Sequence, residues 1–362
     1  MKVSVLMVTY NHEKYIAQAV ESVLMQETDF DVELVIGEDC STDRTREILL
    51  DLQAKHPDQV KLLPSERNLG VNGNIARTLQ ACTGQYIAFL DGDDYWISPH
   101  KLQLQVDYLD RHPEITVCYH KAHIVNEDGS VVLGEGAKPD SKPVSTIEDI
   151  IRRNFIVSCT VMYRHGFVSA FPEWWYEIVN ADWTLHIFHA QHGDIGFIPE
   201  VLSAYRYNPA GIWTRLPYED RLVTRIKAYS MMNQNLEYRY DGIFQLVLSD
   251  LWKRLSDVSI ENSFRAGQED PSIHNISTII ENGFQALPYP PGWKAEVLTE
   301  VYQRLLFDHY QNQNLSKVRY CCGELLLLRP SLFRDKGILK VCLIAFLGSI
   351  GVSQRSTSKR PR

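Results

Sequence analysis

The sequence predicts an α/β protein: a doubly wound, mostly parallel sheet followed by a C-terminal helical extension. Three observations carry that expectation. Short, nearly all-apolar runs alternate with amphipathic stretches over the first 110 residues, the pattern of parallel strands covered on both faces. Polar, carboxylate-bearing segments follow several of those runs directly, at the strand ends where open α/β sheets bind ligands. From about residue 218 the apolar residues recur at helical spacing.

Taken in order, Val3–Val8 is the first strand, and Glu13–Met25 carries Ile16, Val20, Val23 and Leu24 at helical spacing. Val32–Ile36 is the second strand, and Thr45–Leu52 sets Ile48, Leu49 and Leu52 on one face. Val60–Leu63 is the third strand, followed after a Gly-rich bend by a short helix, Asn74–Ala81. Tyr86–Leu90 is the fourth strand, and Lys101–Leu109 places Leu102, Val106 and Leu109 on one stripe. From 113 to about 210 the pattern is mixed. Ile115–Tyr119, Val131–Leu133, Thr160–Tyr163 and Gly196–Tyr207 read as strands, and Asp182–Ala190 as a helix. Beyond breaks at Gly267–Ser272 and Pro288–Gly292, Ala295–Tyr310 and Ser316–Leu328 are expected to form a helical hairpin. The expected division is an α/β domain over 1–215, a helical extension over 216–336, and an apolar helix with a basic tail over 337–362.

With 362 residues, 44% of them hydrophobic and 10% aromatic, the chain has the material for packed cores, which excludes global disorder. A net charge of −8 argues against a nucleic-acid binder. Seven scattered cysteines form no CxxC pair and no zinc spacing. They read as reduced, buried thiols of a cytoplasmic protein. The first apolar run is too short for a signal peptide, and no run of 18 apolar residues offers a membrane span.

The strongest chemical signal is Asp91-Gly92-Asp93-Asp94, directly after Phe89-Leu90. Like charges this close are costly unless a cation neutralises them. Oxygen ligands of this kind suit Mg²⁺ or Mn²⁺ shared with substrate phosphates. The alternative is an acidic turn capping the next helix. At the end of the second strand, Asp39 could accept a hydrogen bond from a nucleobase, while Ser41, Thr42 and Asp43 suit capping of the following helix. At the end of the first, Thr9-Tyr10-Asn11 offers a ring for stacking; Asn11 either reaches a ligand or caps the helix.

These segments, with Asn68-Leu69-Gly70 and Gly84-Gln85-Tyr86-Ile87-Ala88 between them, resemble family 2 glycosyltransferases of GT-A fold, over roughly residues 1–215. The resemblance implies an inverting transferase that moves a sugar from a nucleotide-diphosphate donor to a hydroxyl acceptor. It implies nucleotide-sugar contacts at Thr9, Tyr10, Asn11, Asp39, Asn74, Asp91 and Asp93, although Asn74 stands where many relatives carry a basic residue. It implies a divalent metal, Mn or Mg, on Asp93, with Asp91 and Asp94 beside it. Asn180-Ala181-Asp182-Trp183 resembles the family's catalytic-base motif with Ala181 in place of its first acid, so Asp182 is the expected base, the alternative being a plain helix cap. Tyr205–Trp213 resembles the loop that closes over the donor, without the family's histidine. Ser158–Met162 falls where the family lines its acceptor pocket; Cys159 reads as packing.

His186, His189 and His192 recur on one helix face; a solvated or half-buried face accounts for them better than a metal. Trp174-Trp175-Tyr176 suits either a sugar ring or packing on the core. At the C-terminus, Ile338–Val352 is apolar but too short to span a bilayer comfortably. Basic residues flank it, so it is either a peripheral contact with the inner face of the cell membrane, useful with a lipid-linked saccharide acceptor, or a core helix with a basic tail. Surface polysaccharide or lipopolysaccharide synthesis is the family's commonest context. Two other classes fit the same sheet: a sugar-nucleotide-forming nucleotidyltransferase and a non-catalytic nucleotide-sugar binding module. The first would carry a glycine-rich phosphate loop where this chain reads Thr9-Tyr10-Asn11-His12-Glu13; the second would have lost its acidic residues.

Overall fold

The computed structural model describes residues 1–136, 142–168, 170–179, 181–209, 211–265 and 293–347. The chain divides into two compact units, Met1–Phe244 and Gln245–Arg362.

The first unit is built on a ten-stranded sheet. Its parallel half comprises β1 (Val3–Thr9), β2 (Val32–Glu38), β3 (Val60–Pro64) and β4 (Tyr86–Asp91), in the order β3-β2-β1-β4. The sheet continues from β4 through β9 (Met162–Arg164), β6 (Ile115–Val125) and β10 (Asp194–Arg206) to the short β5 (Tyr95–Trp96). β7 (Val132–Gly136) pairs with β6, and β8 (Val144–Ser145) with β10. β6 and β10 run parallel, whereas β9 is antiparallel to both β4 and β6. The register fixes the site: Thr9 lies opposite Glu38, and Val8 opposite Asp91, so three strand ends finish at one edge.

Helices cover the sheet as the apolar periods require. Ile16 and Val20 of α1 (Ile16–Leu24) and Leu102 and Val106 of α4 (Lys101–Arg111) pack on Val5, Met7, Ala88 and Leu90. α2 (Thr45–Lys55) follows β2. α3 (Gly70–Gln80) begins four residues before the expected Asn74. Asn68 Oδ1 accepts from Gly70 N at 2.9 Å, so the bend itself starts the helix. α5 (Ile147–Arg152) was not expected; its signal is Thr146 with Asp149 three residues on, whose carboxylate accepts from Thr146 N at 2.8 Å. Ser158–Thr160 is a turn of 3-10 helix rather than the start of a strand. α6 (Ala181–Ala190) leads into β10, and α7 (Tyr218–Asn235) returns to this unit. Tyr229 of α7 donates to Ile151 O at 2.7 Å and meets Trp183 edge-on. That docking moves the boundary from the expected 215/216 to 244/245.

Lys101 is wholly buried, its amine 3.9 Å from the centre of the Trp96 ring and without a hydrogen-bond acceptor. Burial pushes that amine down to about 7.

α8 (Asp241–Arg265) crosses the unit boundary. In the second unit α9 (Trp293–Gln311) and α10 (Leu315–Leu328) form the expected hairpin, closed by Asn314, whose side chain accepts from Lys317 N. The expected breaks at 267–272 and 288–292 lie outside the described residues. α11 (Lys336–Leu347) is joined to α10 by a disulfide between Cys322 and Cys342, with Cα atoms 6.0 Å apart. The reading of all seven cysteines as reduced thiols is therefore corrected: the packing of α11 on α10 brings together two cysteines 20 residues apart. Cys40, Cys82, Cys118, Cys159 and Cys321 remain free.

Candidate active site

The site assembles where β1, β2 and β4 end. Gly92 N donates to Val8 O at 2.9 Å, which presses the acidic turn against the end of β1. A Cβ at Gly92 would lie 2.7 Å from Thr9 Oγ1 and 2.9 Å from His12 Nδ1, so a side chain there would displace the turn. Thr9 is buried and its hydroxyl pairs with His12 Nδ1 at 3.1 Å. Tyr10 is exposed beside it. Asn11 takes a left-handed φ of 57° and does not cap α1. Its Oδ1 accepts from Thr42 N at 2.8 Å and its N–H donates to Ser41 Oγ at 3.0 Å. Asn11, Ser41 and Thr42 thus tie two strand-end loops together.

Asp39 follows β2 and is buried, its Oδ1 accepting from Leu69 N at 2.8 Å. Burial raises its pKa, opposed by that hydrogen bond and by Arg77. The expectation of a direct nucleotide contact from Asn74 is corrected. Asn74 is buried and its amide is committed within the protein: Nδ2 donates to Gly37 O at 2.7 Å, and Oδ1 accepts from Arg77 Nε at 2.9 Å. Asn74 orients Arg77, which reaches Glu38 O at 2.8 Å.

The three carboxylates of the acidic turn take different positions. Asp91 accepts from Ser158 Oγ at 2.7 Å. Burial, then the charges of Asp93 and Asp182, push it up to about 7, against the Ser158 hydrogen bond. Asp93 is partly exposed, with His12 Nε2 3.8 Å from its Oδ2. Asp94 turns inward and is buried, accepting from Arg206 N at 2.7 Å. Burial holds Asp94 well above the usual carboxylate range. Asp94, expected beside the metal, ties the acidic turn to β10 through one oxygen, while its Oδ2 is buried without a hydrogen-bond partner among the described residues. Arg206, also buried, completes that tie. Its guanidinium donates to Asp93 O at 2.8 Å, Glu127 O at 2.6 Å and Gln18 Oε1 at 2.8 Å, between the rings of Tyr15 and Tyr95.

Asp182 stands in the first turn of α6, where the helix dipole favours its charged form. It accepts from the Asn154 side chain and from Trp183 N, yet burial dominates and raises its pKa. Its charge is felt at Asp91 and at the Tyr163 and Tyr205 phenols. The charges of Asp93 and Asp182 thus both reach Asp91. Asn180 and Ala210, in the two motifs around it, lie outside the described residues.

Among the described residues no three His, Cys, Asp or Glu side chains converge to hold a metal ion. Asp91 and Asp93 still fit a divalent cation. They are hard oxygen donors of like charge; the Ser158 hydroxyl donates to Asp91, and His12 lies beside Asp93. Two carboxylates completed by substrate phosphates and water suit Mg²⁺ or Mn²⁺.

Residues missed by sequence reasoning are His12, Arg77, Asn154, Ser158 as a partner of Asp91, and Arg206. All but His12 reach the site from remote positions, and none has a local signal. His186 and His189 are buried rather than solvated. Tyr163 OH meets His186 Nδ1 at 2.6 Å, and His189 stacks on the Tyr163 ring at 4.2 Å. Burial pushes the two imidazoles down to about 3 and about 4, so both are neutral. Trp175 is buried against Phe171, and Tyr176 is exposed. Cys159 is buried beside Ser203 Oγ at 3.5 Å, as packing requires.

Residues 4–173 match the family described as Glycosyl transferase family 2. Uncharacterized proteins of Mycobacterium bovis and Mycobacterium tuberculosis are 36% identical over 223 residues, 60% of this chain and 62% of theirs. The chain thus spans about three fifths of the length of these relatives. The UDP-Glc:alpha-D-GlcNAc-diphosphoundecaprenol beta-1,3-glucosyltransferase WfgD of Escherichia coli is 35% identical over 129 residues, 36% of this chain and 49% of that protein. Among solved structures, TarS 1-349 of S. aureus in complex with UDP-GlcNAc superposes with a TM-score of 0.60 at 20% identity, over 96% of this chain and 92% of that one. The mannosyltransferase PcManGT of Pyrobaculum calidifontis, in complex with GDP-Man and Mn²⁺, superposes with a TM-score of 0.51 at 15% identity, over 82% and 83%. These likenesses establish the shared fold.

Proposed function

Residues 4–173 are a family 2 glycosyltransferase domain, and from that premise we propose that the chain is an inverting, metal-dependent glycosyltransferase. It moves a sugar from a nucleotide-diphosphate donor to a hydroxyl of a saccharide or lipid-linked acceptor, in surface polysaccharide or lipopolysaccharide synthesis. The observation that carries the reading is that β1, β2 and β4 end at one edge of the sheet, where Asp39, Asp91 and Asp93 stand, with the charge of Asp182 felt at Asp91. The donor complexes of TarS and PcManGT support a nucleotide-sugar donor. The diphosphoundecaprenol in the name of WfgD supports a lipid-linked acceptor and hence an enzyme peripheral to the membrane.

In this reading Tyr10 stacks on the base and Asp39 accepts a hydrogen bond from it, with Thr9 and Asn11 shaping that end of the site. Asp91 and Asp93 would hold Mn²⁺ or Mg²⁺ at the diphosphate end of the donor. When bound, the cation supplies Lewis-acid stabilisation of the departing diphosphate. Asp182 takes the proton of the acceptor hydroxyl at a carboxylate oxygen. The acceptor oxygen bonds to the anomeric carbon as the bond from that carbon to the diphosphate oxygen breaks on the opposite face. Burial raises the proton affinity of Asp182, which suits a base.

The test is a donor panel read by thermal shift with and without Mn²⁺, followed by turnover of the stabilising donor. Asp93→Asn is expected to lower turnover by about 10²-fold or more while the protein stays folded. Wild-type turnover by that variant, or full activity in EDTA, would overturn the metal assignment.

A further inference from the structure

We propose that the outer face of α11 is a docking surface for a bilayer rich in anionic lipid. α11 is apolar on nearly all sides. Ile338, Val341, Cys342 and Ala345 recur at helical spacing and are buried. Leu339, Leu343, Ile344 and Phe346 are 37–49% exposed. A helix that is apolar all round normally belongs in a core, yet Leu339, Leu343 and Ile344 of this one stay exposed. Lys336 and Lys340, one turn apart and both exposed, fall on that same outer side. Apolar side chains interspersed with lysines suit an interface, where lysine stems lie along the acyl boundary and their amines reach the headgroups.

Three further observations point to an anionic lipid rather than another apolar partner. From Arg329 onward the chain has eight Lys and Arg against the single Asp335, a balance of +7 in a chain of −8. The remainder, at −15, would be repelled by an anionic surface, so attraction has to be local. Asp335 is already engaged: its Oδ1 accepts from Gly337 N at 2.8 Å and Ile338 N at 3.1 Å, capping α11. The Cys322–Cys342 disulfide pins the inner face of α11 to α10, so the apolar outer face cannot roll inward. At 12 residues α11 measures about 18 Å, too short to cross a hydrocarbon core of about 30 Å. No described helix is long and apolar enough to cross one. The helix therefore lies on the surface. This goes beyond the transferase reading, to which it adds the membrane contact surface without depending on the chemistry.

The test is co-sedimentation of the full chain with vesicles of phosphatidylcholine alone and of phosphatidylcholine with phosphatidylglycerol, at low and high salt. Binding is expected only to the anionic vesicles, weakening with salt. Lys336→Gln/Lys340→Gln should lower the partition coefficient by about tenfold or more. Leu339→Ser/Leu343→Ser, at exposed positions, should also release the protein while its melting temperature stays near wild type. No sedimentation with anionic vesicles at low salt overturns the proposal. So does unchanged binding by both variants, or a concentration-dependent dimer that Leu339→Ser/Leu343→Ser abolishes, which would make the face an interface between copies. Donor hydrolysis is measured on the same preparations. Vesicle binding without hydrolysis would count against the transferase reading alone, and hydrolysis without vesicle binding against the docking surface alone.

Discussion

Asp93 and Asp182 differ in what each can lose. In the proposed mechanism Asp93 would serve the donor, by holding a cation there, and Asp182 would serve the acceptor, with no reason to hold the nucleotide. Asp182→Asn keeps the shape and removes the base. Transfer should fall by about 10²–10⁴-fold, while donor affinity, read by calorimetric titration, stays close to wild type. If donor affinity collapses with transfer, Asp182 is a binding residue. Lys101 is a different kind of residue, a cation buried against Trp96 with no acceptor. Its amine sits near 7 when folded and near 10.4 when unfolded. Between those values the unfolded chain binds a proton that the folded chain does not. The penalty is therefore complete below about pH 7 and fades as pH rises towards about 10. Lys101→Met should stabilise by about 1–4 kcal/mol near pH 6, and by less near pH 9.5, in urea titrations. An equal gain at both values would show that the amine is charged in the fold. The carboxylates were legible in the sequence because they are adjacent and follow an apolar strand. Their division of labour was not, because it depends on Arg206 and Ser158, which lie far along the chain. Asn74 was misread because its backbone is close to the site while its amide is committed to Gly37 and Arg77.

At the scale of elements, the acidic turn is held in place by β10. Arg206 gives its backbone N–H to Asp94 and its guanidinium to Asp93 O, Glu127 O and Gln18. Three acceptors fixed in different directions need a planar fork, so lysine is a poor replacement. Arg206→Ala should cost about 3 kcal/mol or more of stability, because buried acceptors lose charge-assisted hydrogen bonds. It should also weaken the effect of Mn²⁺ on donor binding, since the peptide carrying Asp93 is released. Arg206→Lys should recover stability only in part. Wild-type Mn²⁺ response in both variants would show that the turn holds itself. The parallel strands were legible because burial on both faces leaves unbroken apolar runs. The 3-10 turn at Ser158–Thr160 was not, since Ser-Cys-Thr holds no Gly or Pro to mark a turn and Ser158 meets its partner, Asp91, only in the folded chain. Helix starts were missed where polar side chains enter the core: Asn72 and Asn74 are buried in the first turns of α3, against the rule that buried helix faces are apolar.

At the scale of the whole molecule, the chain holds two compact units that respond to different chemistry. The residues of the proposed donor site lie wholly in Met1–Phe244, and the disulfide wholly in Gln245–Arg362. The second unit has a core of its own, with Leu305, Leu306, Val318, Cys321 and Leu325 buried. Scanning calorimetry should therefore show two transitions. A nucleotide-sugar donor with Mn²⁺, at about 100 times its Kd, adds about 2.7 kcal/mol to the unit that binds it. For a domain of that size this raises its melting temperature by about 5–10 °C, and the other transition should stay in place. Reduction removes a crosslink that contributes about 2–4 kcal/mol by restricting the unfolded chain. It should lower the second transition by several degrees and leave the first unmoved, as should Cys322→Ser. A single transition that shifts with both treatments would mean that the two units unfold as one. A reduced chain that melts like the oxidised one would mean that the helical packing of α10 and α11, rather than the disulfide, sustains the second unit.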